Sequence, residues 1–198
     1  MKALLAGFVL MLAASTALAA DFEYSGWYIG GSGGQTSLEN ACGNFEAVNL
    51  AETCDDESVG WKVFAGKWIY KYTALELQYM DAGEARLTAP SATPGNLEIN
   101  PRMASLFLRL EVPVAVQGRF GVFFKFGANY YDTEYKGTGS YVGVVPESDD
   151  GIDTALGGGF SWRFSKAFSG LFEWENFNDP VAGNGDVTLT SVGLRLHF

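Results

Sequence analysis

The segment VTLTSVGLRLHF, residues 187–198, decides the fold class. Thr188, Thr190, Val192, Leu194, Leu196 and Phe198 fall on one face of an extended chain, and Leu189, Ser191, Gly193, Arg195 and His197 on the other. Side chains alternate across a strand, so a period of two reads as a half-buried β-strand. The same period recurs upstream. MASLFLRLEV (103–112) sets Ala104, Leu106, Leu108, Leu110 and Val112 against Ser105, Phe107, Arg109 and Glu111. FGVFFKFGANYY (120–131) sets Phe120, Val122, Phe124, Phe126 and Ala128 against Gly121, Phe123, Lys125, Gly127 and Asn129. TALGGGFSWRF (154–164), LFEWEN (171–176) and ALELQY (74–79) alternate likewise; GWYIGGSGG (26–34) does so more weakly, and GWKVFAGKWIY (60–70) leaves open which face is outer. These are eight strands.

The connections alternate too. Links of about 20, 17, 13 and 8 residues fall on one end of the sheet, and turns of a few residues, around Lys71, Pro113 to Gly118 and Ser165 to Ala167, on the other. That is the plan of an all-β, antiparallel up-and-down meander, and eight strands can close it into a barrel with no free edge.

Composition narrows the class. The chain has 198 residues, 47% of them hydrophobic and 15% aromatic, so it folds. With 13 basic against 23 acidic residues it has no field to neutralise phosphates, and no nucleic-acid partner is expected. Mean hydropathy is only +0.05, far below that of a helical membrane protein. Residues 1–19 read as a signal peptide cut after Ala19, with a membrane anchor as the competing reading; residues 20–198 then form one domain of net charge −11, from 12 basic and 23 acidic residues once Lys2 is removed. Export makes Cys42 and Cys54 a candidate disulfide in the first long loop. A two-Cys metal site would need further ligands, and the one histidine, His197, is far along the chain. GGSGG at 30–34 lacks the Lys-Ser/Thr of a phosphate loop, so no cofactor or metal is expected.

Alternation alone does not separate a soluble lipocalin-like barrel from a membrane barrel, whose faces are reversed. Three features favour the membrane. The polar face is mostly Gly, Ala, Ser and Asn, which suits a narrow lumen. Its charges balance, Arg109, Lys125, Arg163 and Arg195 against Glu76, Glu111, Glu173 and Glu175, as buried charges must. Trp27, Tyr28, Trp68, Tyr70, Tyr72, Tyr79, Tyr130, Tyr131, Trp162, Phe164, Trp174 and Phe198 lie near strand ends, where bilayer-spanning barrels carry aromatic girdles.

The order of leader, GWYIGGSGG, GWKVFAGKW, YTALELQYMD, FFKFGANYY and a last strand SVGLRLHF ending in Phe198 resembles the OmpA-like, eight-stranded outer-membrane β-barrel family of Gram-negative bacteria. The resemblance spans essentially the whole mature chain. It implies outer-membrane lipid and lipopolysaccharide as surroundings, a monomer, and a last strand, Leu194, Leu196 and Phe198, that is read by the barrel-assembly machinery. OmpA itself continues into a peptidoglycan-binding domain; the chain ends at the last strand, so no cell-wall tether is implied.

Three functions follow for such a barrel. The first is a structural or surface-interaction scaffold whose eight lumen charges form a plug and whose loops meet the exterior. Loop one carries Glu39, Glu46, Glu52, Asp55, Asp56 and Glu57, and loop three Glu147, Asp149 and Asp150; these acids attract cations or basic partners, or keep the loops hydrated. The second is a narrow porin-like channel gated by exchange of ion-pair partners. The third is a lipid-modifying enzyme, for which an activated Ser beside His197 or an acid pair Glu173/Glu175 would be required. No catalytic residue is expected, because His197 lies at the tight-turn end and ion pairing accounts for the glutamates.

Overall fold

In a computed structural model, residues 25–38, 53–89, 94–115, 119–143, 148–178 and 185–198 are described. Eight long antiparallel strands close on themselves: β1 (Trp27–Leu38), β3 (Glu57–Tyr70), β4 (Thr73–Asp81), β6 (Asn96–Ala115), β7 (Phe120–Gly137), β8 (Ser148–Arg163), β9 (Phe168–Phe177) and β10 (Val187–His197). Each pairs with its neighbour in sequence, and β1 with β10 closes the ring, in register from Tyr28 opposite His197 to Leu38 opposite Val187. Two short strands that the periodicity does not reveal extend one end. After a bend at Gly83 (φ 77°), β5 (Ala85–Thr88) continues β4 along β6, and β2 (Thr53–Asp55) pairs with β5. No described helix is long and apolar enough to cross a membrane.

The turns that join β3 to β4, β6 to β7 and β8 to β9 share one end with Trp27 and Phe198, whose backbones bond to each other. We call this the turn end. The four longer links share the opposite, loop end.

Burial follows the pleat. On β3, Gly60, Lys62, Phe64, Gly66 and Trp68 point inward while Val59, Trp61, Val63 and Lys67 point outward, which resolves the one strand whose phase the sequence leaves open. Trp27, Tyr70, Tyr79, Tyr130, Trp162, Phe164, Trp174 and Phe198 are exposed on the outside, as girdle residues are. Tyr28 and Trp68 correct that expectation. Both fall in the inward phase of their strands and are buried in the lumen, where the Tyr28 hydroxyl finds a carboxylate. Tyr131 also takes the inward phase and packs on the interior cluster. The cut site after Ala19 and Cys42 lie outside the described residues; Cys54 stands in β2, opposite Leu87.

Candidate functional site

The lumen is filled in layers. At the turn end, Tyr28, Phe64, Trp68, Ala74, Phe123 and Leu171 form an apolar floor. Gly66 faces Tyr28 so closely that a Cβ there would collide with the phenol ring, so a glycine is needed for this strand to hold that tyrosine.

Above the floor lies a layer of ions. Glu111 is the most fully held. Arg195 grips it with a two-pronged fork, Nη1 to Oε2 at 2.8 Å and Nη2 to Oε1 at 2.9 Å, while Arg109 Nε donates at 3.0 Å and Ser161 Oγ at 2.6 Å. Such bidentate, charge-assisted bonds are the strong ones. Arg109 also reaches Glu76 at 3.3 Å and Glu173 at 3.5 Å, and its guanidinium lies over the Phe123 ring, 3.6 Å from the centroid. Lys125 stands within ion-pair range of Glu175 (2.7 Å), Glu76 (3.1 Å) and Glu173 (3.4 Å), and donates to Gln78 Oε1 at 2.9 Å. Tyr28 donates its hydroxyl proton to Glu76 at 2.8 Å. Gly157 makes room here: a Cβ would stand 2.9 Å from Glu175 Cγ and 3.3 Å from Lys125 Cε.

Of the eight residues read from the sequence as a charge network, seven therefore meet. Arg163 sits at the turn-end rim, where its Nη2 lies 3.1 Å from the His197 ring, and Ser169 Oγ lies 2.8 Å from His197 Nε2. The eighth member is Lys62, which sequence reasoning missed. Its Nζ contacts Glu173 at 2.9 Å and also Glu175. The layer thus holds Lys62, Arg109, Lys125 and Arg195 against Glu76, Glu111, Glu173 and Glu175, formally neutral and buried throughout.

Toward the loop end the lumen turns polar but uncharged, with Ser105 Oγ donating to Asn129 Oδ1 at 2.8 Å and Thr36 Oγ1 to the Ala82 carbonyl at 2.6 Å. It then becomes apolar. Leu38, Met80, Leu87, Leu97, Ile99, Met103, Phe107, Phe177, Val187 and Leu189 pack into a cluster topped by Tyr141 of a single 3₁₀ turn, Gly139–Tyr141. Among the described residues no group of three or more His, Cys, Asp or Glu is arranged to hold a metal.

A closed antiparallel barrel with a greasy outer band, exposed aromatic belts and a lumen of compensated charge is an integral membrane β-barrel of the outer-membrane type. The chain belongs to the outer membrane protein beta-barrel domain family, whose sequence model matches residues 4–198. No curated protein matches the chain. Solved structures share the fold at low identity. The outer membrane protein OprG of Pseudomonas aeruginosa is 12% identical, with a TM-score of 0.56 over 89% of this chain and 99% of that one. Ail, the attachment invasion locus protein of Yersinia pestis, and the N-terminal barrel domain of P. aeruginosa OprF are each 11% identical, with TM-scores of 0.51. Both alignments cover 88% of this chain, and 97% and 98% of those chains, respectively. The protein's place is accordingly the bacterial outer membrane, with, as in such barrels generally, the short turns periplasmic and the longer loops outside.

Proposed function

We propose that the protein is a non-conducting surface-interaction scaffold, with a plugged barrel holding four loops at the cell exterior. One observation carries this reading: eight buried ions of zero net charge occupy the lumen and an apolar cluster stands over them. An eight-stranded barrel is only wide enough for its own side chains. An ion crossing this one would have to displace paired charges and then pass a greasy layer. Planar-bilayer recording of the refolded chain is the test, and the expected trace is flat. Discrete conductance steps would overturn the proposal in favour of the narrow channel. That alternative draws on Lys125, which faces three carboxylates and so has ready partners to exchange.

The loop end is acidic, with Asp55, Asp56, Glu57, Asp149 and Asp150 there. Ail was solved with the heparin analogue sucrose octasulfate. This chain's loops carry the wrong sign for a sulfated polyanion, and we assign their acids to hydration first and to cationic partners second. The barrel is read as non-enzymatic. Ser169 and His197 touch, but Ser169 is fully buried at the periplasmic rim, away from lipid in the outer leaflet. Leu194, Leu196 and Phe198 are proposed as the residues read during assembly; Leu194 and Phe198 are exposed on the outer surface of the closing strand.

A further inference from the structure

The periplasmic rim carries a charge of its own. Lys67 on the outer face of β3, Lys71 in the turn to β4, Arg119 at the start of β7 and Lys166 in the turn to β9 are all exposed. Among the described residues none of the four is in an ion pair, and no Asp or Glu side chain is exposed at that end. Three of the cations stand in or beside the aromatic belt, Lys67 with its Nζ 5.0 Å from the Trp27 ring centroid; Lys71 Nζ lies 5.3 Å from the centroid of Tyr72, a ring that packs on the interior floor. Arg119 adjoins Phe120, which stacks on Trp162, and Lys166 lies between Phe164 and Phe168, stacked at 6.3 Å. The opposite end has the reverse sign on its outer face, where Asp132 and Asp150 stand directly opposite one another across β7 and β8.

Exposed aromatic belts mark the level of lipid headgroups. Cations at that level, with no exposed Asp or Glu side chain beside them among the described residues, meet phosphodiesters. We propose that this rim is a binding surface for anionic phospholipid headgroups of the periplasmic leaflet. The cations are distributed over three hairpin ends, so the surface selects several lipids around the circumference and does not enclose one. The phosphate is bound by Lys67, Lys71, Arg119 and Lys166, and the adjacent rings rest against the glycerol and upper acyl region.

The test uses the full chain refolded into phosphatidylcholine vesicles containing a fraction of brominated phosphatidylglycerol or brominated phosphatidylcholine, with tryptophan quenching as the readout. A W61F/W174F background leaves Trp27 and Trp162 as the lipid-exposed reporters, since Trp68 is inside the barrel. Phosphatidylglycerol is expected to associate about fivefold more strongly than phosphatidylcholine, as one cation's worth of headgroup attraction requires. The preference should fall to near unity in K67Q/K71Q/R119Q/K166Q, to an intermediate value in K67Q/K71Q, and with added salt. Equal quenching by the two lipids overturns the proposal, as does a preference that survives in the fourfold variant. Loss of the preference on adding inorganic phosphate at constant ionic strength also overturns it, by marking a free-phosphate site.

Discussion

The two halves of a single strand solve opposite problems. In the bilayer half of β6, Leu106 and Leu110 point out and Ser105, Arg109 and Glu111 point in; in the loop half, Leu97, Ile99 and Met103 point in and Glu98, Asn100 and Arg102 point out. The sign of the faces reverses between Met103 and Ala104. It reverses again on β7 between Tyr130 and Tyr131, and between Tyr79 on β4 and the inward Met80. Tyr79 pairs with Ala104 and Ala104 with Tyr130, so the reversals fall on one line around the wall. Below it, lipid covers the apolar face and the polar groups must satisfy one another inside. Above it, water drives the apolar face inward as in any soluble protein. Alternation reports that two faces differ; the surrounding solvent decides which face is which.

The contrast between the two interiors can be broken by substitution. The largest loss is expected for Arg109→Ala, about 4 kcal/mol, because it removes the one cation that contacts Glu76, Glu111 and Glu173 together and leaves the buried layer with an uncompensated negative charge. Urea unfolding in vesicles, followed by the faster gel migration of the unboiled barrel, measures it. In the loop half, Leu97→Ala should cost about 3 kcal/mol by leaving a cavity. A larger loss there than at Arg109 would reverse the ranking of the two interiors. Lys62→Met should cost less, about 2 kcal/mol, since Lys125 still faces Glu173 and Glu175. The pair K62M/E175M, which keeps the layer neutral, should regain most of that loss; a double variant weaker than K62M would refute charge balance as the principle of the layer. The smallest effect on the folded barrel belongs to Phe198→Ala, under about 1 kcal/mol for an exposed ring. Its assembly into outer membranes, measured as the folded fraction over time, should nonetheless slow clearly.

Most of the barrel was legible because eight segments alternate and the short and long links alternate with them. β2 and β5 were not, since three or four residues are too few to show a period. Within the lumen, Glu76, Arg109 and Glu111 stood out as charges in the polar phase of clear strands. Lys62 was hidden because β3 places a lysine on each face, Lys62 inside and Lys67 outside. The two glycines that share the phase of Lys62, Gly60 and Gly66, were the available sign of a crowded lumen. Arg163 has the same inward phase and is buried, and as the last residue of β8 it lies at the rim beside His197. The apolar upper cluster was missed for the reason the halves teach, because an inner face taken as polar throughout has no place for Leu97, Ile99 or Tyr135.

The line of reversal is also a ruler. On β7 the outward band runs from Phe120 to Tyr130, and on β6 from Ala104 to Val114, eleven residues on each strand. At ~3.4 Å per residue and a tilt of ~40°, ten steps span ~26 Å. That height matches a thin hydrocarbon layer. In a membrane several ångströms thicker, the chain would have to thin the lipid around it or draw Arg102, Asp132 and Asp150 into oil. Thickness alone therefore gives this barrel an address.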